Sequence, residues 1–287
     1  MNEISSDIVR SLIPPRDDKG HKGNFGTALI IAGSRYMTGA GILSTEAALR
    51  SGTGIVRYMS EDEALLPVKI CCPCAVTSPI GQDPITSVKA NLRKATACLI
   101  GPGILEDDDR IMMILTHILG SAKSVVVDAS ALNIISRYKD HYLSLVSARH
   151  GKGLDPAVLT PHIGEFGRLA GGSYTPDGEG CMRFAKDFGC VLVLKDSDTH
   201  IADPEGRTFI NKGSNSGMAK GGSGDVLAGL LTGLLAQGMT PVNAAVAATY
   251  IHSQCGRLAA EQKGVRAMLP SDLTGFFPEV MKELTCA

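Results

Sequence analysis

The sequence predicts an α/β fold: a mostly parallel central sheet, helices on both of its faces, and a hairpin at one edge. Three observations carry that expectation. Short apolar runs recur with helix-like segments between them, and most are continuous where a half-exposed strand would alternate, which is how strands covered on both faces read. Near the C-terminal side, residues 226–236 form a helix with no polar face, so it must lie inside the molecule. Between them, Asp203-Pro204-Glu205-Gly206 is a turn joining two short strands, the mark of a hairpin.

In chain order, TALIIAG (27–33) is the first buried strand. The following GAGILSTEAALRSG can bring Ile42, Leu43, Ala47 and Leu49 onto one helical face. IVRYM (55–59), ACLIG (97–101), SVVVDA (124–129), AVLTP (157–161) and CVLVLK (190–195) are the next strands, and HIADPEGRTFI supplies the hairpin. The buried helix carries Val226, Leu227, Leu230, Leu231, Leu234 and Leu235, with Ala228, Gly229, Thr232, Gly233 and Ala236 on its other side. Gly238 ends it, and Thr240-Pro241 supplies an N-cap and first-turn proline for a helix reaching about Lys263. With no internal repeat, low-complexity tract or linker, residues 1–287 are expected to form a single domain.

Composition narrows the class of function. Hydrophobic residues at 44% and charged residues at 20% are ordinary for a soluble globular chain. A net charge of −1 gives no basic footprint for nucleic acid or acidic membranes. MNEISSDIVRSLIPP lacks the apolar core of an export signal, and no apolar stretch approaches the roughly 18 residues of a membrane span, so a cytoplasmic protein is expected. In that setting the 8 cysteines are expected to be reduced. Cys71, Cys72 and Cys74 are clustered, but Cys98, Cys181, Cys190, Cys255 and Cys286 stand alone, without the second pair a zinc site needs, so structural thiols are expected.

The stretch NSGMAKGGSGDVLAG (215–229) crowds glycines ahead of Asp225 at the start of the buried helix. Glycine–serine clusters commonly mark flexible loops. The other reading is an anion site, because a helix N-terminus carries partial positive charge and unpaired N–H groups, and glycine lets a phosphate reach them. Neither a G-x4-G-K-[ST] loop nor a complete G-x-G-x-x-G is present, since Leu227 stands at the last glycine position of the second. Asp225 suits a first helical turn for electrostatic reasons alone. Beside a bound phosphate, however, its charge would repel the ligand unless chemistry required it, as in orienting or deprotonating a hydroxyl that attacks a phosphoryl group.

GGSGD followed by a small-residue helix resembles the anion hole and catalytic Asp of the ribokinase-like kinases. The longer series is more specific. HKGNFGTALIIAGSRYMTGAGILSTEAALRSGTGIV, IGPGI, VVVDASALN, LTPHIGEFGRL, VLVLK and NSGMAKGGSGDVLAGLLTGLLAQG occur in the order seen in the ADP/ATP-dependent NAD(P)H-hydrate dehydratases. The resemblance runs from about His21 to LPSDLTGFFP at 269–278, and implies a ribokinase-like three-layer α/β/α sandwich. Many members carry a fused epimerase domain, for which 287 residues leave no room.

Residue by residue, the resemblance puts Ala40, Gly103 and His162 at the hydrated nicotinamide nucleotide, with Asp225 as the acid–base residue beside its hydroxyl. Lys195, Thr199, Asn215, Gly221, Gly222, Ser223 and Gly224 fall at the ADP or ATP that donates phosphate, with Mg2+ as the accompanying ion. Read on their own, His162 follows a strand end, where α/β sheets bind ligands, Glu165 suits a metal-linked water or a helix cap equally, and Asn215 suits phosphate contact or a turn. Two segments depart from the family pattern. Lys195-Asp196-Ser197-Asp198-Thr199 adds two acids where Lys-Gly is usual, and Asp128-Ala129-Ser130 replaces the usual Asp-Ala-Asp. The implied reaction phosphorylates the hydroxyl of hydrated NADH or NADPH and eliminates phosphate, and the family suggests a tetramer. The competing readings are a ribokinase-like kinase acting on a vitamin precursor or sugar alcohol, and a catalytically idle nucleotide sensor.

Overall fold

Continuous β-branched and aliphatic runs form the strands because both faces of each are covered. The computed structural model describes residues 1–285; Cys286 lies outside them. The strands are β1 (Asn2–Glu3), β2 (Thr27–Ile31), β3 (Ile55–Ser60), β4 (Val76–Pro79), β5 (Ala97–Ile100), β6 (Ser124–Val127), β7 (Val158–Leu159), β8 (Val191–Leu194), β9 (Thr199–Ala202) and β10 (Thr208–Asn211). They build one 10-stranded sheet in the order β1-β10-β9-β8-β7-β6-β5-β2-β3-β4. From β4 across to β8 every pairing is parallel, while β9 and β10 form the antiparallel hairpin expected from the Asp-Pro-Glu-Gly turn. The hairpin sits one strand in from the edge, because β1 adds outside it in parallel with β10. Neither β1 nor β4 was expected. Each is short and lies at a sheet edge, where little apolar pattern is needed.

The helices are α1 (Ser6–Leu12), α2 (Thr38–Arg50), α3 (Asp62–Cys71), α4 (Pro84–Leu92), α5 (Asp109–Ser121), α6 (Ser130–Arg137), α7 (Lys139–Ser147), α8 (Ile163–Ala170), α9 (Gly178–Phe188), α10 (Ser223–Ala236), α11 (Pro241–Lys263), α12 (Pro270–Leu273) and α13 (Phe277–Thr285). Alternate strand residues face opposite cores. Ile30, Tyr58, Leu99, Val126 and Val193 pack with α10 and α11, whereas Ile31, Met59, Ile100, Val127 and Leu194 pack with α5, α6, α8 and α9. These are the three layers of an α/β/α sandwich.

Helix α10 is buried nearly throughout, as its all-apolar sequence requires. Its glycines let α2 come close: a Cβ on Gly229 would collide with the Ser44 carbonyl, and one on Gly233 with the Ser51 hydroxyl. The helix begins at Ser223, ahead of the apolar run at 226, so Ser223, Gly224 and Asp225 form its first turn.

Chain order and sheet order together locate a crevice. After β2 the chain builds outward through β3 and β4, then returns to the opposite side of β2 for β5 and continues through β8. The reversal lies between β2 and β5, and in such sheets ligands bind beyond the carboxyl ends of the strands at that point.

Candidate active site at the carboxyl edge of the sheet

The loops leaving β2, β5, β6, β7 and β8 all open at this edge. After β2, Ser60 Oγ donates to the Gly33 carbonyl at 3.0 Å, and Glu61 accepts from the Arg35 amide, so the turn leading into α2 is held from β3. After β5, Gly103 adopts φ +66, and a Cβ there would lie 2.8 Å from the Ala40 Cβ. Ala40 and Gly103, far apart in sequence, are thus adjacent across the reversal point. A Cβ on Gly101 would strike the Asp128 carbonyl, so the β5 and β6 loops press backbone to backbone. Ala129 follows with φ 49, the one non-glycine residue with positive φ among the described residues. Held strain of that kind clusters at functional sites.

Asp128 directly follows β6, buried to 1% exposure. Its Oδ1 accepts from Lys195 Nζ at 2.7 Å and from Thr160 Oγ1 at 2.7 Å. Lys195, just past β8, is thereby aimed toward the first turn of α10. A Cβ on Gly224 would lie 3.2 Å from Lys195 Nζ and 3.8 Å from Asp128 Oδ2. Gly224 is helical, so backbone freedom is not what the position needs; it needs the absence of a side chain beside the ammonium. Gly222 is different: its φ of +106 starts the helix in a left-handed conformation, and a Cβ would meet Leu43 Cδ1 at 2.7 Å. Gly221 faces open space and is exposed. Ser223 Oγ is buried without a hydrogen-bond partner.

Asp225 lies in the same turn. Burial and the Asp128 carboxylate push its carboxyl up to about 6, with the Lys195 ammonium pulling the other way. Two carboxylates, one ammonium and the open N-terminus of a 14-residue helix therefore meet at one point. That arrangement suits an anionic group under attack by a hydroxyl: amides and ammonium for the anion, a carboxyl able to take a proton near neutrality.

His162 pairs with Lys195 through an isolated parallel bridge, so it borders the same site. Its imidazole is 55% exposed and also caps α8. Nδ1 accepts from the Gly164 and Glu165 amides at 3.0 and 3.3 Å, and the buried Glu165 carboxylate accepts from the His162 amide at 2.9 Å. Glu165 is a capping residue here. Asn215 forms the turn: its Oδ1 accepts from the Gly217 amide at 2.9 Å and its Nδ2 donates to the Gly256 carbonyl at 2.8 Å. Thr199 starts β9, half-buried, while Asp196 in the departing segment is exposed to water. The cysteine cluster does not converge, since Cys72 is buried against α2 and Cys71 and Cys74 face outward. Asp128 enters the sequence reading only through the Asp128-Ala129-Ser130 departure, without a named role in catalysis or binding. Its place directly after the Val125-Val126-Val127 run of a buried strand is the available signal.

A family model described as NAD(P)H-hydrate dehydratase matches residues 28–279. The ADP-dependent (S)-NAD(P)H-hydrate dehydratase of Lactococcus lactis is 33% identical, with all of both chains covered. A ribokinase-like superfamily protein from Enterococcus faecalis has a crystal structure similar at TM-score 0.86 and 29% identity, covering 100% of this chain and 97% of that one. The Bacillus subtilis ADP/ATP-dependent NAD(P)H-hydrate dehydratase, co-crystallised with ATP and Mg2+, is similar at TM-score 0.83 and 29% identity, covering 99% and 98%. Against bifunctional NAD(P)H-hydrate repair enzymes, such as that of Moorella thermoacetica at 35% identity, the chain spans 53% of the relative's length. With the sheet order, the reversal-point crevice and the α10 turn already in place, these matches make the chain a member of the NAD(P)H-hydrate dehydratase family.

Proposed function

We propose that this protein returns hydrated NADH and NADPH to the reduced cofactors, using ADP or ATP as phosphate donor. The observation that carries the reading is the convergence of Asp225, Lys195 and Asp128 on the first turn of α10, beside the crevice bordered by Ala40 and Gly103. The hydroxyl on the hydrated nicotinamide ring faces Asp225, which accepts its proton as the oxygen attacks the terminal phosphorus of the nucleotide. A new P–O bond forms to the ring oxygen, and the bond to the leaving nucleotide breaks. Amides of Gly222 and Gly224 hold the phosphoryl oxygens, and such donors are worth about 3 kcal/mol each, while the Ser223 amide donates to the Lys220 carbonyl at 3.2 Å. Lys195, fixed by Asp128, adds positive charge. Phosphate is then expelled by the lone pair of the ring nitrogen, the proton on C5 is lost, and the double bond is restored.

On this reading His162 contacts the hydrated dinucleotide, Thr199 and Gly221 border the donor nucleotide, and Asn215 shapes the loop that receives its phosphates. The donor set suits Mg2+ carried on those phosphates. Asp128 keeps Oδ2 toward the α10 turn and Asp225 lies alongside, and Mg2+ commonly takes only one or two carboxylates, with phosphate and water completing its shell. An ion held there would neutralise charge on the donor. Residues 1–287 act as one domain in this scheme, in a homo-oligomer for which a tetramer is expected, and in the cytoplasm, whose reducing conditions suit the free thiols of Cys98, Cys181, Cys190 and Cys255.

The decisive assay incubates the enzyme with hydrated NADH and either ADP or ATP and follows the absorbance of the restored dihydropyridine. One NADH and one inorganic phosphate per nucleotide consumed are expected. Accumulation of a stable phosphorylated alcohol, with hydrated NADH ignored, would instead establish a kinase.

A further inference from the structure

Helix α10 presents its first turn to the site with no side-chain cap, starting from a left-handed Gly222. One restraint comes from outside the helix. His252, on α11, lies with Nε2 2.9 Å from the Ser223 carbonyl. A carbonyl oxygen only accepts, so Nε2 carries the proton and donates. We propose that His252 is a positioning residue: its Nε2–H clamps the Ser223 carbonyl and holds the Ser223-Gly224-Asp225 turn in the orientation that phosphoryl transfer requires. This rests on the function proposed above.

Three features support a directed role. The contact falls on the residue between the left-handed Gly222 and the Gly224 beside Lys195. Ser223 Oγ is itself buried and unpartnered, so its side chain does not anchor the turn. Burial depresses the imidazole to about 4, opposed by the Ser223 hydrogen bond and reinforced by the Lys195 charge, which keeps the ring neutral through the working range. A neutral donor anchors the turn without adding a second fixed cation beside Lys195. Small misplacements of reacting groups lower rates by large factors, so a clamp on this turn acts on kcat through Asp225.

The test compares two substitutions of similar volume. His252→Gln retains an N–H that can reach the carbonyl, whereas His252→Met fills the space without a donor. His252→Met is expected to lower kcat about tenfold while changing KM for hydrated NADH less than about twofold, and His252→Gln to recover most of kcat. Equal kcat in the two variants, whether near wild type or equally reduced, overturns the proposal. Nitrogen chemical shifts of His252 in the wild-type protein provide a check independent of variant folding: the Nε2–H tautomer is expected, and a proton on Nδ1 alone overturns the clamp. Asp225→Asn is assayed alongside. Should it retain turnover, the proposed function fails; should it be inactive while Gln and Met behave alike, only the role of His252 fails.

Discussion

In the proposed function, Asp225 would couple chemistry to stability. Its carboxyl is raised to about 6 by burial and by Asp128, so the folded protein holds a proton there that the unfolded chain releases near pH 4. The cost of ionising it in the fold therefore grows as pH rises from about 4 and is complete above about 6. Asp225→Asn is expected to abolish turnover by several orders of magnitude, yet to stabilise the fold by about 1–2 kcal/mol at pH 8. Denaturant unfolding and the hydrated-NADH assay read the two effects separately; near-normal turnover would reduce Asp225 to a helix-start residue. For wild type, kcat/KM should climb through pH 6 to a plateau, since the base must be ionised to accept the proton. A neighbouring prediction concerns Gly224→Val. A side chain there enters the space of Lys195 Nζ, so nucleotide affinity should fall at least tenfold in a folded protein. Calorimetric titration showing unchanged affinity would remove Gly224 from the anion site.

At the scale of elements, the capping role of His162 on α8 stands beside the ligand contact proposed for it. His162 satisfies two amides of its first turn through Nδ1, and Glu165 answers with the reciprocal bond. His162→Ala should therefore cost about 1 kcal/mol of stability along with affinity for hydrated NADH. His162→Asn separates the two, because Asn is a strong N-cap but has no imidazole to offer the ligand. Its expected phenotype is a near-normal melting temperature, weakened binding of hydrated NADH and unchanged affinity for adenine nucleotide. Normal hydrated-NADH binding in the Asn variant would leave His162 as a cap only. The packing of α2 on α10 has a related logic: Gly229 and Gly233 are missing side chains that let α2, with Ala40 at its N-terminal end, settle against the helix that carries Asp225.

Across the whole molecule, the site edge and the opposite edge of the sheet divide the labour. Far from the crevice, fully buried Arg149 donates to the carbonyls of Leu119, Ala122, Lys123 and Asp155 at 2.7 to 2.9 Å, tying the end of α5 to the starts of β6 and of the loop before β7. Burial lowers its guanidinium to about 10, which leaves it charged at neutrality. Arg149→Met leaves the Leu119, Ala122 and Asp155 carbonyls without a donor, the Lys123 carbonyl keeping the Asp155 amide, and should cost about 3–5 kcal/mol, read as a fall in the unfolding midpoint. Because the site edge is untouched, KM values of the folded fraction should hold within about twofold. A large change in KM would show that the two edges are coupled.

Local pattern was enough for the sequence to determine the buried parallel strands, the hairpin, the start and stop of α11 and the all-apolar α10, since burial on both faces and turn chemistry are written in neighbouring residues. The ordered motifs determined the family, and the glycine–aspartate stretch marked Asp225. Contacts between distant segments belonged to the tertiary structure. It decided that α10 begins at Ser223, that β1 closes the edge outside the hairpin, and that Glu165 and Asn215 spend their polar groups on caps and turns. It also brought Asp128 onto Lys195 and His252 onto Ser223, residues separated by 67 and 29 positions. No periodicity encodes those pairs. They exist because strand order and helix packing bring together the ends of elements that the chain visits far apart.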